Sequence, residues 1–400
     1  MPLGWIDFSK TERNKVLSVL DLLSEAGTLD ELGIAPVRDG FADVFFPGTS
    51  TIQTRAKYFF LVPYALKDLE YSHEANPNRL LRMLDELEKN CGMRLMQKEP
   101  EAVGIIGSRS LSQGKWVKRT PASIYWAGLR TYGIFIGGSW SLTEYIRAVC
   151  AMKTQRTEIG KLGNRNDQTD DREHDDQDAG GLFHMQWWMI PSYPQNWMDQ
   201  IELKLTSEEG RFLKHQITTS CPDSMMAYIL KNNVTDVLHC ERFRDLRSLM
   251  HEFPKEIQED YDLALRFSDF LYILRILYNV ILSDGKNESA VNEWTKASAD
   301  LKETAQVDLD RIIRRLQLTR NFFLCRFLYK EQELMAANDI DGMKTEILKR
   351  ERELKQSRAK TLHPGEFDSG GWYGGGHLDY RFANAKVILR DIFESEGAYA

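Results

Sequence analysis

The sequence predicts a mainly α protein: an α-rich N-terminal domain with short irregular or strand-like pieces, followed by a C-terminal helical bundle. Three observations carry this. Apolar residues recur at helical spacing between recognisable caps. One long run, Pro254–Leu282, is apolar on nearly every side after Leu263, as in a helix enclosed by others. The helices after it are joined by short connections that suit antiparallel packing.

In chain order, Ser9 is placed to cap a helix over Thr11–Ser24 that stops at Gly27. Residues 28–50 read as irregular, punctuated by Pro36, Gly40, Pro47 and Gly48 around a short apolar piece, Ala42–Phe46. Thr51–Glu70 reads as one helix that kinks or divides at Pro63. Pro77 sits at the first position of a helix through Lys89, and Thr120-Pro121 opens another that Gly133 ends. A further helix covers Leu142–Lys153. The join between these last two is about eight residues, too long for a helix-turn-helix motif. Thr206 with Glu209 forms a capping box for a helix to Thr218. After Leu282 come helices over Glu288–Leu316, Arg320–Ala336, Asp341–Arg358 and Phe382–Phe393.

Charge is distributed unevenly. The chain of 400 residues has a formal net charge of -7, yet Ala102–Thr157 carries eight basic residues and one acidic one, Glu144. Trp116, Tyr125, Trp126, Tyr132, Trp140 and Tyr145 are interleaved with that charge. Cations neutralise phosphates and aromatic faces stack on bases, so a nucleic-acid surface is expected here. Lys115, Lys118, Arg119 and Arg130 would contact phosphates; Tyr125 would face outward to stack, with Trp126 inward. A solvated basic face over core aromatics has the same composition. A second basic stripe, Arg311–Lys330, holds six basic residues, Arg311, Arg314 and Arg315 among them, and no acidic ones. Glu158–Asp178 reverses the sign, with eight acidic residues against three basic. That composition predicts a mobile linker over residues 158–181 between a domain of residues 1–157 and a bundle of residues 182–400.

Four motifs resemble an uncharacterised bacterial family. They are Gly4-Trp5-Ile6-Asp7-Phe8-Ser9, Phe46-Pro47-Gly48-Thr49-Ser50-Thr51-Ile52-Gln53-Thr54-Arg55-Ala56-Lys57-Tyr58-Phe59, Arg119-Thr120-Pro121-Ala122-Ser123-Ile124-Tyr125-Trp126, and Leu378-Asp379-Tyr380-Arg381-Phe382. Genes of this family occur in defence islands, and the chain is similar to the middle component of the Azaca anti-phage system. The resemblance implies a helicase with a phospholipase D-type nuclease domain as partner. It implies no catalytic residue.

Other chemistry is weakly signalled. His215, Cys221, His239, Cys240 and His251 match no structural-zinc spacing. Asp178 followed by Glu202-Leu203-Lys204 resembles a D…ExK metal-dependent nuclease site. No GxxxxGK[ST] or GxSxG string is present, and no cofactor is implied. A Gly-rich loop, His363–His377, has five glycines in seven residues around Trp372. With His363, Glu366, Asp368, Trp372, Tyr373 and His377 it suits a partner or ligand, or packs as an aromatic plug. The cysteines are five and scattered, no apolar run reaches membrane-spanning length, and the first residues lack a signal-peptide pattern. A cytoplasmic protein without a membrane segment is expected. The functional expectation is a non-enzymatic nucleic-acid-binding or adaptor subunit of an anti-phage complex, DNA being the expected ligand. A metal-dependent nuclease and a purely protein-binding scaffold are the alternatives.

Overall fold

Side chains that accept the free amides of a first turn set many of the helix starts among the described residues. Asn76, Ser224, Asn287, Asp308, Asn321 and Asp339 each do so, and the Thr206–Glu209 box is formed in both directions. The computed structural model describes residues 30–163, 186–363 and 370–398. Its α-helices are α1 (Ala35–Phe45), α2 (Tyr58–Tyr71), α3 (Pro77–Lys98), α4 (Ser108–Leu111), α5 (Pro121–Thr131), α6 (Leu142–Gly163), α7 (Ser207–Ser220) and α8 (Met225–Asn232). They continue with α9 (Lys255–Leu282), α10 (Glu288–Ala297), α11 (Leu301–Thr304), α12 (Leu309–Arg315), α13 (Phe322–Ala336), α14 (Ile340–Lys355) and α15 (Phe382–Ser395). The fold is mainly α, and β structure among the described residues is an isolated antiparallel bridge between Phe135 and Trp188. No described helix is long and apolar enough to cross a membrane.

The chain groups into two compact units that interleave in sequence. One comprises Met1–Phe41 and Glu259–Leu378, the other Ala42–Gln258 and Asp379–Ala400. The grouping therefore does not follow chain order, and it does not divide at 158–181. Glu158 stands inside α6, which runs on to Gly163, so the expected linker does not begin there. Residues 164–185 and the expected helix Thr11–Ser24 lie outside the described residues.

In the 42–258/379–400 unit the core is aromatic. α2 buries every residue from Tyr58 to Leu66, Pro63 included, and is not divided there. α5 lies against α2, with Tyr125 edge-on to Phe59 at 4.9 Å between centroids. Trp126, Phe135, Tyr145 and Trp188 form a second cluster, their centroids 4.7–6.0 Å apart. Pro77 opens a helix that reaches Lys98 rather than Lys89, because Leu80, Leu84, Cys91 and Leu95 keep one buried stripe throughout.

In the other unit, Leu263–Tyr278 of α9 is buried almost throughout, as expected of an enclosed helix. The expected single helix Glu288–Leu316 is instead three, α10 to α12. Asp308 caps the restart, and the Gln332 amide donates to the turn carbonyls of Ala305 and Val307 at 2.9 and 2.6 Å. Those bonds replace the helical ones the break gives up. Residues 35–45, expected to be irregular, form α1, where Asp30 accepts the amide of Ala35. A Cβ on Gly40 would lie 3.2 Å from Leu316, so a residue that reads as a breaker is a close-packing position.

Candidate nucleic-acid interface

Three of the motifs meet in one place, around Thr54–Lys57. This segment precedes α2 and is not helical, although the sequence pattern extends the helix back to Thr51. Side chains from far along the chain take its amides instead. The Tyr125 hydroxyl accepts from Thr54 and Arg55 at 2.9 and 3.1 Å and donates to the Arg55 carbonyl at 2.8 Å. Asp391 accepts the Ala56 amide at 2.8 Å and pairs with the Arg55 guanidinium at 2.8–2.9 Å. Lys57 is buried against Glu209 at 2.7–2.8 Å. Upstream in the same motif, Gly48 takes φ +75° with the Tyr132 ring 2.8 Å from where a Cβ would be. Arg381 donates to the Thr49 carbonyl at 3.0 Å, and Asn384 to Thr51 and Gln53 at 3.2 and 2.8 Å. The motifs thus build a folding hub whose principal polar groups are mutually occupied.

Tyr125 is fully buried, which corrects its expected outward orientation. Burial pushes its phenol up to about 12, and a ring so enclosed cannot stack on a base. Trp126 points inward as expected, its indole donating to the Trp140 carbonyl at 2.9 Å. Thr120 starts α5, but its side chain caps nothing. Glu88, buried on α3, accepts from Ala122 and from the Thr120 side chain. Its carboxyl is pushed up to about 8 by burial, against the pull of those donors.

The basic stretch presents cations to solvent and keeps the rings singled out above at least half-buried. Arg109, Lys115, Lys118, Arg130 and Arg147 are exposed, and none has a carboxylate partner among the described residues. Arg119 is half-buried and engaged within the protein. Lys153 donates to the Leu69 and Glu74 carbonyls at 2.6 and 3.0 Å and to the Ser72 hydroxyl at 3.0 Å, so it closes the C-terminal end of α2. Tyr132 and Tyr145 are in the core, and Trp116 and Trp140 are half-buried. Arg119 precedes α5 and Arg130 lies in its last turn, so their backbone positions are roughly 15 Å apart along it.

The second stripe is arranged differently. Arg311 pairs with Glu259, and Arg315 makes a bidentate pair with Asp260 at 2.8–3.1 Å. Arg326 pairs with Glu353 and Lys330 with Glu333, each at 3.0 Å. Arg314 and Arg320 are exposed and have no carboxylate partner among the described residues. Phe322 and Phe323, not singled out from the sequence, are 75% and 68% exposed. Their signal was present: they share a helical stripe with Arg326, Tyr329 and Lys330, opposite Leu324, Phe327 and Leu328.

The described part of the Gly-rich loop packs on α9 as a plug. Asn279 accepts the Tyr373 amide at 2.8 Å and donates to its carbonyl at 2.9 Å. Ser268 accepts the Leu378 amide at 2.8 Å, and Arg275 donates to the Gly376 carbonyl. The Tyr272 ring lies between those of Trp372 and His377, 6.3 and 4.1 Å away, and His377 is 3.3 Å from Asp269. Positions 268, 272, 275 and 279 form one face of α9, which is why Arg275 interrupts its apolar run. His363 meets the Ser357 carbonyl at 2.6 Å; Glu366 and Asp368 lie outside the described residues.

The other candidate sites are not assembled. Glu202 and Lys204 are exposed on an irregular segment whose alternate residues, Ile201, Leu203 and Leu205, are buried; Asp178 is outside the described residues. Among the described residues no three His, Cys, Asp or Glu side chains are grouped to hold a metal. A groove of about 670 Å³ between α2 and α3 is lined by Leu69, Met83 and Leu87, with Asp68, Arg79 and Glu86 around them. No curated protein and no solved structure matches the chain. Residues 1–147, which hold three of the four motifs and most of the basic stretch, match a family of unknown function, DUF6361.

Proposed function

We propose that the protein binds nucleic acid through the cationic surface of residues 102–157, as a non-catalytic subunit. The observation that carries this is the set of five exposed cations, Arg109, Lys115, Lys118, Arg130 and Arg147, without carboxylate partners among the described residues. On a chain of net charge -7 such a surface is not a by-product of a basic composition. Glu144, the lone carboxylate of the stretch, caps Ser141 and leaves the field positive. Trp116 and Trp140 are half-buried and the other rings singled out here are core, so binding is phosphate-directed and sequence-tolerant, as on duplex DNA. The motif resemblance supplies a setting: a cytoplasmic anti-phage complex in which a helicase with a phospholipase D-type nuclease domain does the chemistry.

The test is binding of the full chain to labelled duplex across a salt series. Replacing Arg109, Lys115, Lys118 and Arg130 together by alanine should weaken binding to every sequence. It should also flatten log K against log salt by roughly 0.9 for each phosphate that is no longer neutralised. Unchanged affinity with an unchanged slope would remove the reading.

A further inference from the structure

The outer face of α13 combines exposed rings with exposed cations. The helix turns Leu324, Phe327, Leu328, Glu331 and Met335 inward. The opposite stripe is Phe322, Phe323, Arg326, Tyr329 and Lys330, all exposed. Single exposed apolar residues are ordinary on any surface. Two adjacent phenyl rings at 75% and 68% exposure, on the same stripe as Tyr329 at 39% two turns along, put more apolar surface in water than a single exposed residue does, and such exposure marks an interaction surface.

Charge complementarity selects the partner. No carboxylate occurs between Arg311 and Lys330. Arg314 and Arg320 lie on and just after α12, exposed and without carboxylate partners among the described residues. The pairs made by Arg311, Arg326 and Lys330 are at exposed positions, where an ion pair contributes little and yields readily to phosphate. The Arg326 guanidinium already lies over the Phe323 ring, 5.6 Å from its centroid. Flat rings flanked by guanidinium groups match a strand that offers base faces and phosphates in alternation.

We propose that this face binds single-stranded nucleic acid, with Phe322 and Phe323 stacking on unpaired bases and Arg314 and Arg320 holding the flanking phosphates. The site shares a ligand class with the cationic surface of the other unit but does not depend on it. A duplex hides its base faces, so the two surfaces prefer different forms of the ligand.

The experiment measures fluorescence anisotropy of the full chain with a labelled oligothymidylate and with a duplex of equal length. The double variant Phe322→Ala, Phe323→Ala should lose about tenfold or more in affinity for the single strand. Its salt slope, its duplex affinity and its melting temperature should stay as in the parent. The pair Arg314→Ala, Arg320→Ala should flatten the single-strand salt slope by roughly 0.7 for each phosphate set free. Single-strand affinity that survives removal of both rings overturns the proposal. So does an equal drop for single strand and duplex. A changed oligomeric state with oligothymidylate binding intact assigns the patch to a protein interface and overturns it as well. Substituting Arg109, Lys115, Lys118 and Arg130 leaves the ring-dependent preference for single strands in place, so this site and the duplex-binding surface stand or fall separately.

Discussion

Residues 102–157 and 311–330 have nearly the same recipe, arginine and lysine interleaved with aromatic residues, and the fold arranges them in opposite ways. In the first, the rings are inside and the cations outside: Tyr125, Trp126, Tyr132 and Tyr145 are core, while Lys115, Lys118 and Arg130 are exposed. In the second, Phe322 and Phe323 are outside, and four of the six cations are held by carboxylates. Composition identifies the ingredients of a nucleic-acid surface. Which ingredient reaches the ligand is decided by packing.

The sharpest way to break this contrast is to remove one ring from each region. Tyr125→Ala should destabilise the protein by about 3–5 kcal/mol, since it empties a close-packed site and strands two amides. Phe322→Ala should leave the melting temperature within experimental error. Equal effects on thermal unfolding would erase the distinction.

A second test uses the inner side of α13. Glu331 is fully buried, neither oxygen has a hydrogen-bond partner, and burial pushes its carboxyl up to about 9, Glu346 adding to it. Below the ordinary carboxylate value of 4.5 both folded and unfolded chains hold this proton. As pH rises toward 9 the unfolded chain releases the proton while the folded chain retains it. Stability therefore falls across that window, by about 1.4 kcal/mol per pH unit. Glu331→Gln should flatten the stability–pH profile between these limits and unfold at higher denaturant than the parent at pH 8. A parent profile that is already flat there would refute it.

The smallest effect separates the cations. Arg315→Ala removes a half-exposed bidentate pair with Asp260 and should cost under about 1 kcal/mol. Arg314→Ala should cost nothing measurable in denaturant titration, because no carboxylate depends on it. Indistinguishable midpoints would mean that the Asp260 pair contributes as little as solvent does.

Much of the fold was legible because its signals are local. The Thr206–Glu209 box, the Pro77 start and the enclosed run in α9 all read correctly, each being set by residues within a few turns. The failures have long-range causes. Gly40 resembles a breaker until Leu316 is seen packed on it. Thr120 resembles an N-cap until Glu88 takes the role from another helix. Leu129, three residues after Trp126 and four after Tyr125, cannot fix which ring faces inward. The Tyr125 hydroxyl is satisfied by backbone some seventy positions upstream. Phe322 and Phe323 were available to periodicity alone, since Leu324, Phe327 and Leu328 define the buried side.

The partners of Ala56 and Arg55 bear on how the chain acquires its structure. Asp391 lies 335 residues beyond the amide it accepts. Before α15 is made, the Ala56 amide and the Arg55 guanidinium lack this partner, whereas Tyr125 is already available to the Thr54 and Arg55 amides. The region that matches a family by itself, residues 1–147, also precedes Glu209 and Asp391. Closure of so long a loop is slow, so this clasp forms only once α15 is in place. A chain shortened before Asp391 would keep the cations of residues 102–157 and lose the clasp on Arg55 and Ala56.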